Sequence, residues 1–261
     1  MASDFLSRIL RDKEAEVAAA KALIPPAIIE ERARAAATPL PALAALRGER
    51  LRVIAEVKRA SPSAGVFAGS LDAATQVTRY AAGGAAAISV LTDGPYFQGS
   101  LTDLEAARAA SSIPLLRKDF IIDPYQIHEG RAAGADLILL IVAALSAARL
   151  TELLRVTTDL GMCALVEVCT AEEARLAREL DAPLVGINNR NLRTFTVDME
   201  TTTHLRPILA SHTVVASLSG IKTVEDARAM RAAGVDAVLV GEALARAADP
   251  GLFLKELVEL R

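Results

Sequence analysis

The chain reads as an α/β protein, a (β/α)8 barrel with an N-terminal helical extension, and three observations predict it. Eight short β-rich runs alternate with longer helical stretches, joined by short loops. Several of the runs are apolar throughout, as expected of parallel strands buried on both faces. No GxGxxG fingerprint follows the first run, which disfavours an open dinucleotide-binding sheet. The length, 261 residues, suits one large barrel.

The elements follow in order. Residues 1–50 precede the first strand, with Phe5, Ile9, Val17 and Leu23 at helix-like apolar positions and Pro25-Pro26 ending that helix before a second begins. They predict an extension packed on the barrel and partly covering one end of it. Residues 51–261 form the barrel, and no linker divides the chain further. The expected strands are LRVIAEV from Leu51, AAAISVL from Ala85, PLLRK from Pro114 and ADLILLIV from Ala135. Then come CALVEV from Cys163, LVGINN from Leu184, TVVASL from Thr213 and VDAVLVG from Val235.

Helix starts are marked by capping-box spacing at Thr102/Glu105, Thr170/Glu173 and Thr223/Asp226. Asp123-Pro124 and Asp249-Pro250 place a cap ahead of a proline at the first helical position. Three similar segments, AAGGAAAISVL, AAGADLILL and AAGVDAVLV, each run from a helix end through Gly83, Gly134 or Gly234 into a strand. Glycine suits the left-handed residue that ends a helix. Convergence of αβ turns and ancestral duplication account equally well for the echo.

Composition removes several classes of function. Lys and Arg number 29 against 32 Asp and Glu, for a net charge of −3, so a dedicated nucleic-acid binder is disfavoured. An anionic substrate must then be held by a few local basic residues. The N-terminus has no continuous apolar segment of the secretory kind. The longest apolar run, Leu137 to Leu145, is too short to span a bilayer. The expectation is a cytoplasmic protein, monomeric, with no membrane partner. Cys163 and Cys169 read as reduced core residues, not a disulfide framework.

Chemistry in such a barrel sits at the C-terminal ends of the strands. Side chains alternate along a strand, so parity groups Ile54, Glu56 and Lys58 on one face, and Leu116, Lys118 and Phe120 on another. It likewise groups Leu165 with Glu167, Gly186 with Asn188 and Arg190, and Ser217 with Ser219. Any one inward charge is explained by a structural ion pair, for instance Glu56 with Lys58 or Lys118. Four together, Glu56, Lys58, Lys118 and Glu167, all at strand ends, favour a catalytic cluster of acids and bases with separated pKa values.

Two glycine turns, Ser219-Gly220-Ile221 and Gly241-Glu242-Ala243, follow the last two strands, where barrels of this kind commonly bind phosphate. Chain reversal alone also explains such turns; Lys58 supplies the missing positive charge. His128, His204 and His212 lack ligand spacing, so no metal site is expected, and no cofactor. Phe97 and Phe120 are candidate partners for an aromatic substrate ring, and otherwise plain packing residues, as is Tyr96.

The segments IAEVKRASPSAG, YFQGS, LLRKDFIIDPYQI, LVEV, GINNRNLRTF and SLSGI resemble, in order and strand position, those of the indole-3-glycerol phosphate synthase family. The resemblance extends over nearly the whole chain and is most specific around Lys58 and Lys118. It implies ring closure of a small phosphorylated substrate, 1-(2-carboxyphenylamino)-1-deoxyribulose 5-phosphate, with loss of CO₂ and water and without cofactor. In it, Lys118 matches the general acid of ring closure and Glu167 the general base. Lys58 is a second acid that also faces the phosphate or carboxylate. Glu56 would orient the lysines and stabilise the charge on the anilino nitrogen. Asn188 and Ser219 match positioning residues, and Arg190 is a candidate for the substrate carboxylate. Ser61, Gly220, Gly241 and Glu242 complete the expected binding set.

One departure stands out. The family's Ser-Glu-Ser-Gly after strand seven is Ser217-Leu218-Ser219-Gly220 here, so a carboxylate expected at position 218 is absent. It is dispensable, replaced by another acid, or deliberately removed. Two rivals therefore stay open: another phosphosugar barrel lyase or isomerase, such as a Schiff-base aldolase using Lys118, and a barrel that binds the same ligand class without turnover.

Overall fold

The computed structural model describes residues 5–191 and 194–260; Leu192 and Arg193 of the GINNRNLRTF segment fall outside the described residues. Eight parallel strands close a barrel: β1 Arg52–Val57, β2 Ala87–Leu91, β3 Leu115–Lys118, β4 Leu137–Ile141, β5 Cys163–Val168, β6 Leu184–Asn188, β7 Val214–Leu218 and β8 Ala237–Val240. Each pairs with the next, and β8 returns to β1, so that Ile54 faces Ala87 on one side and Leu239 on the other. All eight runs expected from the sequence contain a strand. Some begin later because the preceding residues finish a helix: the N–H of Ala85 bonds Tyr80 O, and that of Val235 bonds Met230 O.

Alternation sorts the apolar residues into two layers. Ile54, Leu116, Leu139, Leu165, Ala216 and Leu239 fill the barrel interior. Val53, Ile88, Ile138, Val166, Val185 and Val238 face the surrounding helices. Burial of this area is the main favourable contribution to folding.

The helix caps are mostly those the sequence marks. Thr223 forms a full capping box with Asp226, and Asp123 forms one with Gln126. Thr170 accepts from the N–H of Glu173, and Asp249 from that of Leu252. The Thr102 expectation is corrected. Helix Leu101–Ala110 is capped by Ser100, whose side chain accepts from the N–H of Asp103, so Thr102 lies inside the first turn. Gly134 and Gly234 take left-handed φ values of 93° and 85°, but in the first echo Gly84 does so, at 92°, and Gly83 stays right-handed.

Strand seven carries a second correction. Leu218, like Ala216, faces the interior, and Ser217 points the other way. Its hydroxyl lies 3.0 Å from Asn189 Nδ2 and 2.9 Å from Thr202 Oγ1. Ser219 then adopts a left-handed φ of 62°, which interrupts the alternation and still lets it reach the cavity.

The extension forms helices α1 Phe5–Leu23 and α2 Pro26–Ala35. Helix α1 lies against the C-terminal end of the barrel, with Phe5, Leu6 and Ile9 lining the cavity there. Its far end is tied by the Tyr125 hydroxyl, which donates to Ala20 O and Ile24 O. Leu23, expected to pack, is instead 83% exposed, since the helix has by then run past the barrel. Among the described residues no helix is long and apolar enough to cross a membrane.

Candidate active site

The inward-facing apolar rung of the barrel gives way, two residues further along four strands, to polar side chains. Ile54 is followed by Glu56 and Lys58, Leu116 by Lys118, Leu165 by Glu167, and Gly186 by Asn188 and Arg190. All but Glu167 border a cavity of about 1000 Å³ at the C-terminal end of the barrel. Glu167 lines an adjoining cavity of about 330 Å³ and meets the larger one through its partner Lys118.

Two lysine–glutamate pairs organise the polar side. Lys58 Nζ lies 2.5 Å from Glu56 Oε2. Lys118 Nζ lies 3.3 Å from Glu167 Oε2, and Asn188 Nδ2 donates to Glu167 Oε1 at 2.7 Å. Glu56, Glu167 and Asn188 are buried, whereas both lysines keep part of their side chains open to the cavity. An amide holding one carboxylate oxygen leaves the other aimed at an ammonium, which suits a pair that must exchange protons with a bound molecule.

The rest of the rim differs in character. Phe97 and Phe120 line the cavity with ring centroids 6.3 Å apart. Ser61, Ser219, Gly220, Gly241 and Glu242 line it beside Lys58. A Cβ on Gly241 would stand 2.2 Å from Glu56 Oε2 and 3.1 Å from Lys58 Nζ, so only glycine lets the last turn approach that pair. The expected short helix follows as Glu242–Arg246; the Glu242 carboxylate is turned to Arg246 at 2.9 Å, away from any anion in the turn. Arg190 donates to Ser63 Oγ at 3.3 Å and to Phe195 O at 3.2 Å, so it joins the hairpin of strands Ala60–Ser61 and Gly65–Val66 to the loop after β6.

All thirteen residues expected from the sequence thus come together at one end of the barrel. Residues outside the expected set join them: Leu218, noted only as a departure from the family motif and 1% exposed in the cavity wall, and Lys222 and Arg246 at its edge. For Leu218 the signal was present, since it has the parity of Ala216. The cysteines are both free, and burial pushes each thiol up to about 11, so neither is poised as a nucleophile. His128 lies on a barrel helix, where burial lowers its pKa. Among the described residues no cluster of His, Cys, Asp and Glu is arranged to hold a metal ion.

Solved structures share the fold at low identity. A 3-hexulose-6-phosphate synthase from Salmonella typhimurium aligns with a TM-score of 0.65 at 14% identity, covering 80% of this chain and 97% of that one. A thiamine phosphate pyrophosphorylase from Pyrococcus furiosus aligns at 0.61 and 17%, over 82% and 96%. Sequence relatives are far nearer. The indole-3-glycerol phosphate synthase of Mycolicibacterium gilvum is 50% identical over 253 residues, 97% of this chain and 93% of that protein. That of Chromobacterium violaceum is 49% identical over 259 residues, 98% of each. The family model for indole-3-glycerol phosphate synthase matches residues 6–257, from the helix that lines the cavity to the last helix of the barrel. With paired lysines and glutamates where the resemblance had placed them, the chain belongs to the indole-3-glycerol phosphate synthase family.

Proposed function

We propose that this cavity closes the indole ring of 1-(2-carboxyphenylamino)-1-deoxyribulose 5-phosphate, a carboxy-lyase reaction of tryptophan biosynthesis. One observation carries the reading most directly: two lysine–glutamate pairs meet at one end of the barrel, with Glu56 and both lysines on a cavity that also has an aromatic wall and glycine turns. The substrate has matching parts. Its carboxyphenyl ring suits the wall formed by Phe97 and Phe120, and its phosphate suits the turns at Gly220 and Gly241 beside Lys58 and Ser61. We assign Arg190, which lines the same cavity, to the ring carboxylate.

Ring closure needs a proton delivered to the ribulose carbonyl oxygen as the aromatic carbon attacks the carbonyl carbon. Lys118 supplies it, and Glu167 holds that ammonium in place. Positive charge then develops on the anilino nitrogen, where Glu56 offsets it. Loss of CO₂ returns the electron pair of the broken C–C bond to the ring. Dehydration removes a proton from the carbon beside the nitrogen and expels the hydroxyl made in the first step. Glu167 takes that proton, Lys58 protonates the leaving hydroxyl, and Asn188 and Ser219 position the groups. Because closure is intramolecular, folding the flexible chain accounts for much of the rate gain. We place the enzyme in the cytoplasm, as a monomer acting on a free small substrate.

The chain contains no tryptophan, so product formation is visible as indole fluorescence over a quiet background. Signal growth with this substrate, lost in Lys118→Ala, supports the reading. Substrate bound without turnover favours the binder, which Leu218 in the cavity wall keeps in play. Borohydride trapping of a substrate adduct on Lys118 would instead favour a Schiff-base lyase.

A further inference from the structure

The chemistry above leaves one buried ammonium without a role. Lys13, on α1, is 1% exposed, and its Nζ lies 2.9 Å from Glu16, 3.0 Å from Asp93 and 2.9 Å from Asp119. Burial alone would lower its pKa, but Asp119, Asp93 and Glu16 outweigh that and hold it above the ordinary lysine value. Asp119 is shared further. It accepts from Thr92 Oγ1 at 2.6 Å, from Arg117 at 3.2 Å and from the N–H of Phe120 at 2.8 Å. Burial would raise the Asp119 pKa; Arg117 and Lys13 reverse the sign and keep it ionised. Lys13 and Asp119 therefore form a fixed ion pair at the centre of the cluster.

Its position in the chain gives it a second meaning. Asp119 sits between Lys118 and Phe120. Asp93 accepts from the N–H of Tyr96 and so caps the short helix Gly94–Phe97, which ends in Phe97 at the cavity wall. Lys13 itself lies one turn beyond Ile9, which lines the same cavity from α1. One ammonium thus joins three separate segments that each place a side chain against the substrate's expected position.

We propose that Lys13 is a positioning residue of the ring-closing reaction, setting α1 and the turns that carry Phe97, Lys118 and Phe120 in a single register. The proposal rests on the functional reading above and deepens it. Ring closure needs a folded substrate with its carbonyl oxygen at the acid, and misplacement by about 1 Å costs on the order of 100-fold. A neutral residue at position 13 leaves Asp93 and Asp119 without their shared partner, and the backbone of Lys118 moves with Asp119.

The experiment compares the full chain with Lys13→Met, Lys13→Arg and Glu16→Gln by kcat, KM and melting temperature. Glu16 is half exposed and lies at the outer edge of the cluster, so Glu16→Gln should stay within about twofold of the unmodified chain. Lys13→Met, assayed well below its melting temperature, should lose at least about 30-fold in kcat, and Lys13→Arg should recover most of that loss. A purely structural staple would lower the melting temperature and leave kcat of the folded protein alone. Lys13→Met with kcat and KM within about threefold overturns the proposal.

If Lys13→Met does not fold, Lys13→Met/Asp93→Asn removes one buried negative charge while asparagine keeps the cap, and the same criterion applies. Absence of turnover by the unmodified chain would be a failure of the ring-closure reading, not of this one. The measurement then passes to binding of the substrate analogue whose ketone is reduced to an alcohol, followed by its anthranilate fluorescence. Affinity weakened at least about tenfold in Lys13→Met supports the positioning role, and unchanged affinity overturns it.

Discussion

Strands β1, β3, β5 and β6 and strands β2, β4, β7 and β8 close the same barrel, yet they end differently at the cavity. The first set turns from apolar to polar at the inward rung, with Glu56, Lys118, Glu167 and Asn188. The second stays apolar or bare, with Leu91, Ile141, Leu218 and, beyond Leu239, Gly241. Charged groups therefore meet one another across a floor whose inward side chains are mostly apolar. In such surroundings an ion pair is electrostatically stronger than in water, and an unpaired member is costly. On the proposed reaction this gives a division of labour, in which one half moves protons and the other supplies shape and room for an anion.

The hardest test of that division is Lys118→Ala. If Lys118 is the acid of ring closure, turnover followed by indole fluorescence should fall by roughly 10³-fold or more while the circular dichroism spectrum is unchanged. Near-normal turnover would move the chemistry elsewhere on the polar half. Glu167→Gln should cost less, about 10²-fold in kcat, because the amide keeps the side chain's size and one acceptor but loses the basic oxygen and turns an N–H toward Asn188 or Lys118. A loss confined to KM would mean that Glu167 contributes to substrate binding and not to the chemistry.

Leu218 sharpens the comparison from the other side. It belongs to the apolar half, at the position where the family motif carries glutamate. Leu218→Glu adds a carboxylate opposite Asn188 in register, on the wall of the cavity that both lysines line. We expect kcat to rise about tenfold, at a stability cost of roughly 1–3 kcal/mol for burying the charge. A kcat that holds or falls would mean that the remaining cluster is self-sufficient and the apolar wall has been adapted to it.

Most of this division could be read in the sequence because parity alone converts a strand into two faces. Glu56, Lys58, Lys118, Glu167 and Asn188 were legible from alternation with apolar neighbours, and the structure brings them together. Strand seven was misread where its register depended on Ser217, a small residue that suits either face and that here bonds Asn189 and Thr202. Ser219 reaches the cavity through a left-handed backbone that no side-chain pattern announces. Lys13 was hidden differently. It occupies the slot between Ile9 and Val17 on the buried stripe of α1, where a lysine ordinarily signals a gap in the stripe. Its partners Asp93 and Asp119 are 80 or more residues away, and only the closed barrel brings them within reach.

The smallest effect we expect lies where the two halves touch. Gly186 belongs to β6 of the polar set, yet its open face is filled by Leu218 of the apolar set. A Cβ at position 186 would stand 2.6 Å from Leu218 Cδ1 and 3.3 Å from Leu165 Cδ1. Glycine and leucine are thus a matched pair across β6 and β7, the small residue yielding the volume that the large one occupies. Gly186→Ala should destabilise the fold by about 1 kcal/mol through overpacking, read as a lower denaturation midpoint at unchanged slope. The penalty should vanish in a Leu218→Ala background, where the added methyl enters space the leucine has left, giving a coupling energy comparable to the single effect. Additive losses instead would show that the barrel interior relaxes around position 186. Leu218 would then be one filler among several, and the apolar half would owe its shape to the barrel as a whole.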